Sequence, residues 1–284
     1  MSTRIDLHTH SNCSDGALTP QALVARAAAR KVMMLALTDH DTLAGCSAAR
    51  TACQHFGMEF IAGVELTCEW RGREIHVIGL RCDEADRTLA DHCAGILSLR
   101  RERVTQIARR LTAAGLPGES LAQQALTVLS PTRTHIARAM YQAGLVTSVQ
   151  RAFDRWLSRG QAGYVAQQWP ALDTVIPYVR GAGGIAVLAH PHRYRLSNGA
   201  LRELVAAFKD AGGGGIEVSL SAMPPADLDR VATLARRFDL FGSIGSDFHE
   251  PDLPWRPLGR LVKLPEGVKP ITAHLGMVNG RSYA

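Results

Sequence analysis

The chain has 284 residues, 46% of them hydrophobic and 20% charged, with a formal net charge of +6. This is the balance of an ordinary soluble globular protein, long enough for one large α/β domain or a barrel with an insertion. No apolar run approaches the ~18 residues a membrane span needs, and the opening residues lack the basic and apolar regions of a signal peptide. Six cysteines without Cys-x-x-Cys spacing read as reduced thiols of a cytoplasmic protein rather than a disulfide frame or thiolate zinc site. The mild positive charge favours anionic partners but does not by itself indicate nucleic-acid binding.

Residues 4–8 read as a first strand, which places His8 and His10 on one face. Asp15 follows a short turn later. Thr19-Pro20 supplies an N-cap and a first-turn proline for a helix running to about residue 31. Residues 32–38 (VMMLALT) form a short apolar run, as expected of a strand buried on both faces, and end in Asp39-His40-Asp41. A helix over 43–56 stops at Gly57. Strands are predicted at 60–65, with Glu65 at the end, and at 74–80, with His76 inside an apolar run.

From residue 84 to about 160 only helical periodicity is found: 85–114, 121–129, 134–142 and 148–158. Arg100, Arg101, Arg103, Arg109 and Arg110 make the first of these helices basic, and a solvated face is the expectation for them. The strand–helix alternation then resumes with a helix at 170–180 and a strand at 184–189 ending in His190-Pro191-His192. A helix at 201–210, a strand at 216–220 and a helix at 227–238 follow. The last strand, 240–244, leads into Gly245-Ser246-Asp247-Phe248-His249. Alternating strands and helices imply parallel pairing, and active sites in such folds lie at the C-terminal strand ends. Those ends are where His8, His10, His40, Glu65, His190, Asp247 and His249 fall.

The motifs HTHSNCSDG, LTDHDT, GVE, EIHVIG, AHP and GSDFH, in that order, resemble the PHP (polymerase and histidinol phosphatase) phosphoesterases. With the helical segment carrying PTRTHIARA, the chain looks like the TrpH/YciV-type branch. The resemblance implies an α/β fold, a distorted (β/α)7 barrel formed by residues 1–83 and 168–284, with an all-helical insertion at 84–167 that caps the substrate. It further implies up to three divalent metal ions: His8, His10, Glu65 and Asp247 on the first, Glu65, His76 and His190 on the second, and Asp15, His40 and His249 on the third. Glu65 would bridge the first two ions, with a hydroxide between them. The implied reaction is removal of the 3′-phosphate from 3′,5′-nucleoside bisphosphates, such as 3′,5′-bisphosphoadenosine to AMP and phosphate. Some members also act 5′-to-3′ on short single-stranded RNA.

Imidazole and carboxylate donors without thiolates suit manganese first, then iron or zinc. Arg133 and His135, at the start of an insertion helix, are the expected contacts to substrate phosphate or leaving group. Asp6 is expected to stand behind the ligands, Asp39 and Asp41 to orient His40 or face solvent, and Trp255 to stack on a base or pack in its loop. His55, His92 and His274 have no site context, and Cys13 is read as a bystander. Rival expectations are a histidinol-phosphate phosphatase, an amidohydrolase-type C–N hydrolase and a non-catalytic nucleic-acid-binding module.

Overall fold

The computed structural model describes residues 4–251, 257–259 and 261–275; Trp255 lies outside them. Seven strands form one sheet in chain order: β1 (Arg4–Asp6), β2 (Val32–Leu37), β3 (Glu59–Trp70), β4 (Arg73–Leu80), β5 (Ile185–Leu188), β6 (Gly215–Leu220) and β7 (Phe241–Gly245). β1 to β3 are parallel, as are β5 to β7. β4, however, runs antiparallel to both its neighbours, against the all-parallel expectation. The reason is local. Only Arg71 and Gly72 connect β3 to β4, both in left-handed backbone conformation, and such a two-residue link makes a hairpin, whereas a parallel pair needs a dozen or more residues to cross over.

The two edges of the sheet meet. Leu7 N–H donates to Ile244 O at 3.0 Å, Asp247 N–H to His8 O at 2.9 Å, and His10 N–H to Phe248 O at 2.9 Å. Inside this ring, Leu7, Met34, Ala36, Ile61, Ile78 and Val187 pack together, with Leu275 of the short helix α10 (Thr272–Leu275) among them. Leu35 and Leu37 point the other way, against α1 (Pro20–Ala29) and α2 (Cys46–His55). That alternation follows from the two-residue period of a strand and explains why VMMLAL is apolar throughout.

Residues 87–157 carry helices only: α3 (Arg87–Ala113), α4 (Gly118–Ala125), α5 (Arg133–Gln142) and α6 (Val149–Ala152), the last continuing as a π-helical turn over Phe153–Leu157. Val104, Ile107, Leu111, Leu121, Ile136, Met140 and Leu157 form a hydrophobic cluster of their own. α7 (Leu172–Gly181), α8 (Asn198–Asp210) and α9 (Pro225–Arg237) cover the outside of β3 to β6. Among the described residues no helix is long and apolar enough to cross a membrane.

Two of the arginines expected in solvent are buried instead. Arg100 Nε donates to Asp41 Oδ2 and its Nη2 to Thr67 Oγ1, both at 2.6 Å. Arg103 reaches Glu74 Oε2 at 2.9 Å. The aliphatic face of α3 must cross these polar strand ends to dock, and the two guanidiniums supply the hydrogen bonds that make such a crossing affordable.

Candidate metal centre

Most groups at the centre follow the end of a strand, but Glu65 lies within β3, which runs on to Trp70 rather than ending at Glu65 as expected, and His76 lies within β4. The segment after β1 turns sharply at residues 11–16, where a Cβ on Gly16 would lie 2.3 Å from His10 O, so only glycine lets the chain close there. Asp39 braces this turn, accepting from Ser11 N–H at 2.8 Å and from the Ser11 and Ser14 hydroxyls at 2.6 Å each. Asp39 and Asp41 are therefore both buried supports, with neither facing solvent. Asp6 accepts from the Ser246 and Gly259 N–H groups at 2.8 Å each and thereby ties the β7 loop down.

Glu65 stands in the middle, its two oxygens addressing different partners. Oε1 lies 2.9 Å from both His76 Nδ1 and His190 Nε2. Oε2 lies 3.2 Å from His8 Nε2, 3.2 Å from His10 Nε2 and 3.1 Å from His40 Nδ1. Asp247 Oδ1 is 3.4 Å from His8 Nε2 and 3.3 Å from His10 Nε2. On the far side Asp15 Oδ1 is 3.2 Å from His249 Nε2 and 3.7 Å from His40 Nε2. All nine residues picked out by sequence thus come together. Three overlapping sets offer donor atoms within 4.8 Å of one another: His8, His10 and Glu65; His40, Glu65 and His76; and His10, Asp15, His40 and His249. Of the two histidines around Pro191, it is His190 that reaches Glu65.

These donors fit divalent cations better than they fit each other. Asp15 Oδ1, His40 Nδ1, Glu65 Oε2 and His190 Nδ1 are buried without a well-formed hydrogen bond, which proteins avoid unless something else satisfies such atoms. Charge says the same. Burial alone would raise the pKa of Glu65, yet His40, His8 and His76 hold it well below the ordinary carboxylate range. Burial would likewise lower His10 and His76, but the adjoining carboxylates raise them to about 9 and about 10. The carboxylates draw positive charge into the site, and metal ions can supply it in place of protons.

Two ligand candidates sit on strained backbone. His190 and Asp247 have φ of 28° and 52°, a conformation that costs a non-glycine residue about 1–3 kcal/mol. Glu217 holds the first by accepting His190 N–H at 2.6 Å. Its other oxygen lies 2.9 Å from His8 Nδ1. Sequence reasoning missed Glu217, although a lone carboxylate inside the apolar run GIEVSL was a usable signal. It also missed Arg193, whose guanidinium pairs with Asp247, and Tyr194, whose hydroxyl accepts from His76 N–H at 3.0 Å and donates to Ala189 O at 2.8 Å.

The insertion reaches the centre through α5. Thr132 Oγ1 donates to Asp15 Oδ2 at 3.1 Å, and Arg138 Nη1 donates to Asp15 O at 2.8 Å. Arg133 pairs with Glu74 Oε1 at 3.4 Å and stays 28% exposed. His135 stands in the first turn of α5. Its Nδ1 accepts from Thr132 N–H at 3.0 Å in a capping box, and burial lowers its pKa. Nδ1 is thus committed to the cap at the start of α5.

Taken together, a closed α/β sheet and nine convergent imidazoles and carboxylates form the kind of site a metal-dependent hydrolase uses. A family model for the PHP domain matches residues 6–218, and the chain belongs to that family. It is 39% identical over 271 residues to a 5′-3′ exoribonuclease of Haemophilus influenzae, covering 95% of this chain and 98% of that protein. It is 39% identical over 273 residues to a 3′,5′-nucleoside bisphosphate phosphatase of Chromobacterium violaceum, covering 95% and 96%. The structure of an amidohydrolase from Chromobacterium violaceum, with bound sulfate and no metal, matches with a TM-score of 0.91 at 38% identity over 96% of each chain.

Proposed function

We propose that this protein hydrolyses the 3′-phosphate of 3′,5′-nucleoside bisphosphates, and that the same site acts on the 5′ end of short single-stranded RNA. The observation that carries this is the two-sided placement of Glu65 among His8, His10, His40, His76 and His190, within a fold shared with relatives bearing both activities. Up to three divalent ions are held by His8, His10, Glu65 and Asp247, by Glu65, His76 and His190, and by Asp15, His40 and His249. Nitrogen and oxygen donors favour manganese, with iron or zinc as alternatives. When bound, such ions lower the pKa of a water and offset charge on phosphate oxygens.

The chain itself binds and orients the substrate. Arg133, partly exposed and only loosely paired with Glu74, is positioned to take a phosphate oxygen. Residues 84–167 act as a cap over the barrel of residues 1–83 and 168–284, supported by the Thr132 and Arg138 bonds to Asp15. His135, in the first turn of the same helix, is the second candidate for contact to the substrate phosphate or the leaving group. Enclosure by a basic cap over a charged cluster would select small phosphate esters by size and charge.

The test is phosphate release by manganese-loaded protein from 3′,5′-bisphosphoadenosine, histidinol phosphate and 5′-phosphorylated oligoribonucleotides, with ammonia release from amide substrates as the rival assay. AMP and phosphate are expected. A loaded enzyme that frees ammonia and no phosphate is instead a C–N hydrolase. Arg133→Ala should lower kcat/KM by more than about tenfold, and a change within about twofold would remove Arg133 from the site.

A further inference from the structure

We infer that RNA substrates longer than one nucleotide run outward along the exposed face of α5, stacking a base on Tyr141 and passing a downstream phosphate to Arg151 and Arg155. This rests on the RNA reading above and extends it beyond the metal centre. α5 begins over the centre, where Thr132 and Arg138 both touch Asp15. Arg138, which also pairs with Glu250 at 3.4 Å, is followed three and four positions on by the exposed Tyr141 and Gln142, its neighbours on the helix surface. Tyr141 is 52% exposed and among the few large hydrophobic side chains left in solvent. An unburied aromatic in a stripe leading away from a phosphate site fits base stacking, which accepts any base because every base offers a flat face.

The next turn supplies charge. Directly after α5, Gly144, Leu145, Val146, Thr147, Arg151 and Arg155 line a cavity of about 230 Å³. Both arginines are exposed, and neither has an acidic partner in an ion pair among the described residues. The acid of this turn, Asp154, is engaged by Gln150 Nε2 at 2.9 Å. α5 has ten residues and so spans about 15 Å, enough to run beside more than one nucleotide. A mononucleoside bisphosphate cannot occupy the centre and the far end of this stripe together, so the stripe matters only for longer chains.

The experiment compares wild type, Tyr141→Ala and the double variant Arg151→Ala/Arg155→Ala, all at solvent-exposed positions, after checking that each keeps the wild-type Tm. Affinity for a labelled 5′-phosphorylated pentaribonucleotide is measured by anisotropy, and kcat/KM is measured on that oligonucleotide and on 3′,5′-bisphosphoadenosine. Each variant should lose at least about fivefold on the oligonucleotide while staying within about twofold on the bisphosphate. Equal losses on both substrates would assign Tyr141 to the first nucleotide and overturn the path. Variants that bind and cleave the oligonucleotide like wild type would overturn it too. A wild type that hydrolyses the bisphosphate yet neither binds nor cleaves the oligonucleotide removes the RNA path and leaves the phosphatase standing. Inactivity on both, by contrast, is failure of the underlying function.

Discussion

His8 Nδ1 lies 2.9 Å from Glu217 Oε1, two fully buried side chains 209 positions apart in sequence. A carboxylate there keeps the proton on Nδ1 and turns Nε2 toward Glu65 and Asp247, as an outer partner does for a metal-binding imidazole. The same carboxylate accepts the backbone N–H of His190 and so sets two donors at once.

Glu217→Gln should therefore weaken manganese affinity by about 10–100-fold while the protein still folds. Chelator competition and Tm measured on the same samples would check this. Unchanged affinity would mean that Glu217 is merely a satisfied core carboxylate.

Gly245 leaves no room beside this pair. A Cβ at position 245 would fall 2.4 Å from His8 Cβ and 2.9 Å from Glu217 Oε1. Gly245→Ala should cost about 1–3 kcal/mol through overpacking and also reduce metal binding. Gly95→Ala is the control: it lies within α3 with open space around it and should stabilise by about 1 kcal/mol. Denaturant unfolding of both variants decides the matter, and equal stabilities would contradict the stated crowding.

Arg100 fastens α3 to the sheet through Asp41 and Thr67. Arg100→Met leaves the Asp41 carboxylate buried without its cation, so a loss of about 3–5 kcal/mol is expected. Pairing it with Asp41→Asn should recover part of that loss. If the single variant unfolds at the wild-type denaturant midpoint, the ion pair contributes nothing to docking.

The pH response should reverse with metal. In metal-free protein, burial would lower His10 and His76, but Asp247 and Glu65 beside the first and Glu65 and Glu74 beside the second raise them to about 9 and about 10. Both stand above the ordinary value of about 6.5. The stability they confer is complete below about pH 6.5 and is lost as pH rises through about 9 to 10. Metal must displace these protons, so its affinity should climb with pH. Thermal melts of chelator-treated protein, alongside manganese titrations, would show the two trends. A metal-free Tm that rises over that range would refute the protonation assigned here.

Sequence alone determined which groups the centre could use. Strand periods and strand ends singled out His8, His10, His40, Glu65, His190, Asp247 and His249, because a two-residue period and a terminal position are local properties, while the resemblance of the motifs assigned these together with Asp15 and His76 as ligands. Tertiary structure decided what those groups meet. That Glu65 faces both ways, that Glu217 holds His8 and His190, and that Arg100 and Arg103 are buried all depend on partners far away in sequence. β3 and β4 extend into a hairpin because Arg71 and Gly72 permit a tight reversal, whereas hydrophobic runs mark a strand without fixing its direction. Spacing encodes how a segment folds on itself; which segments come to face one another is set by the packing of the whole chain.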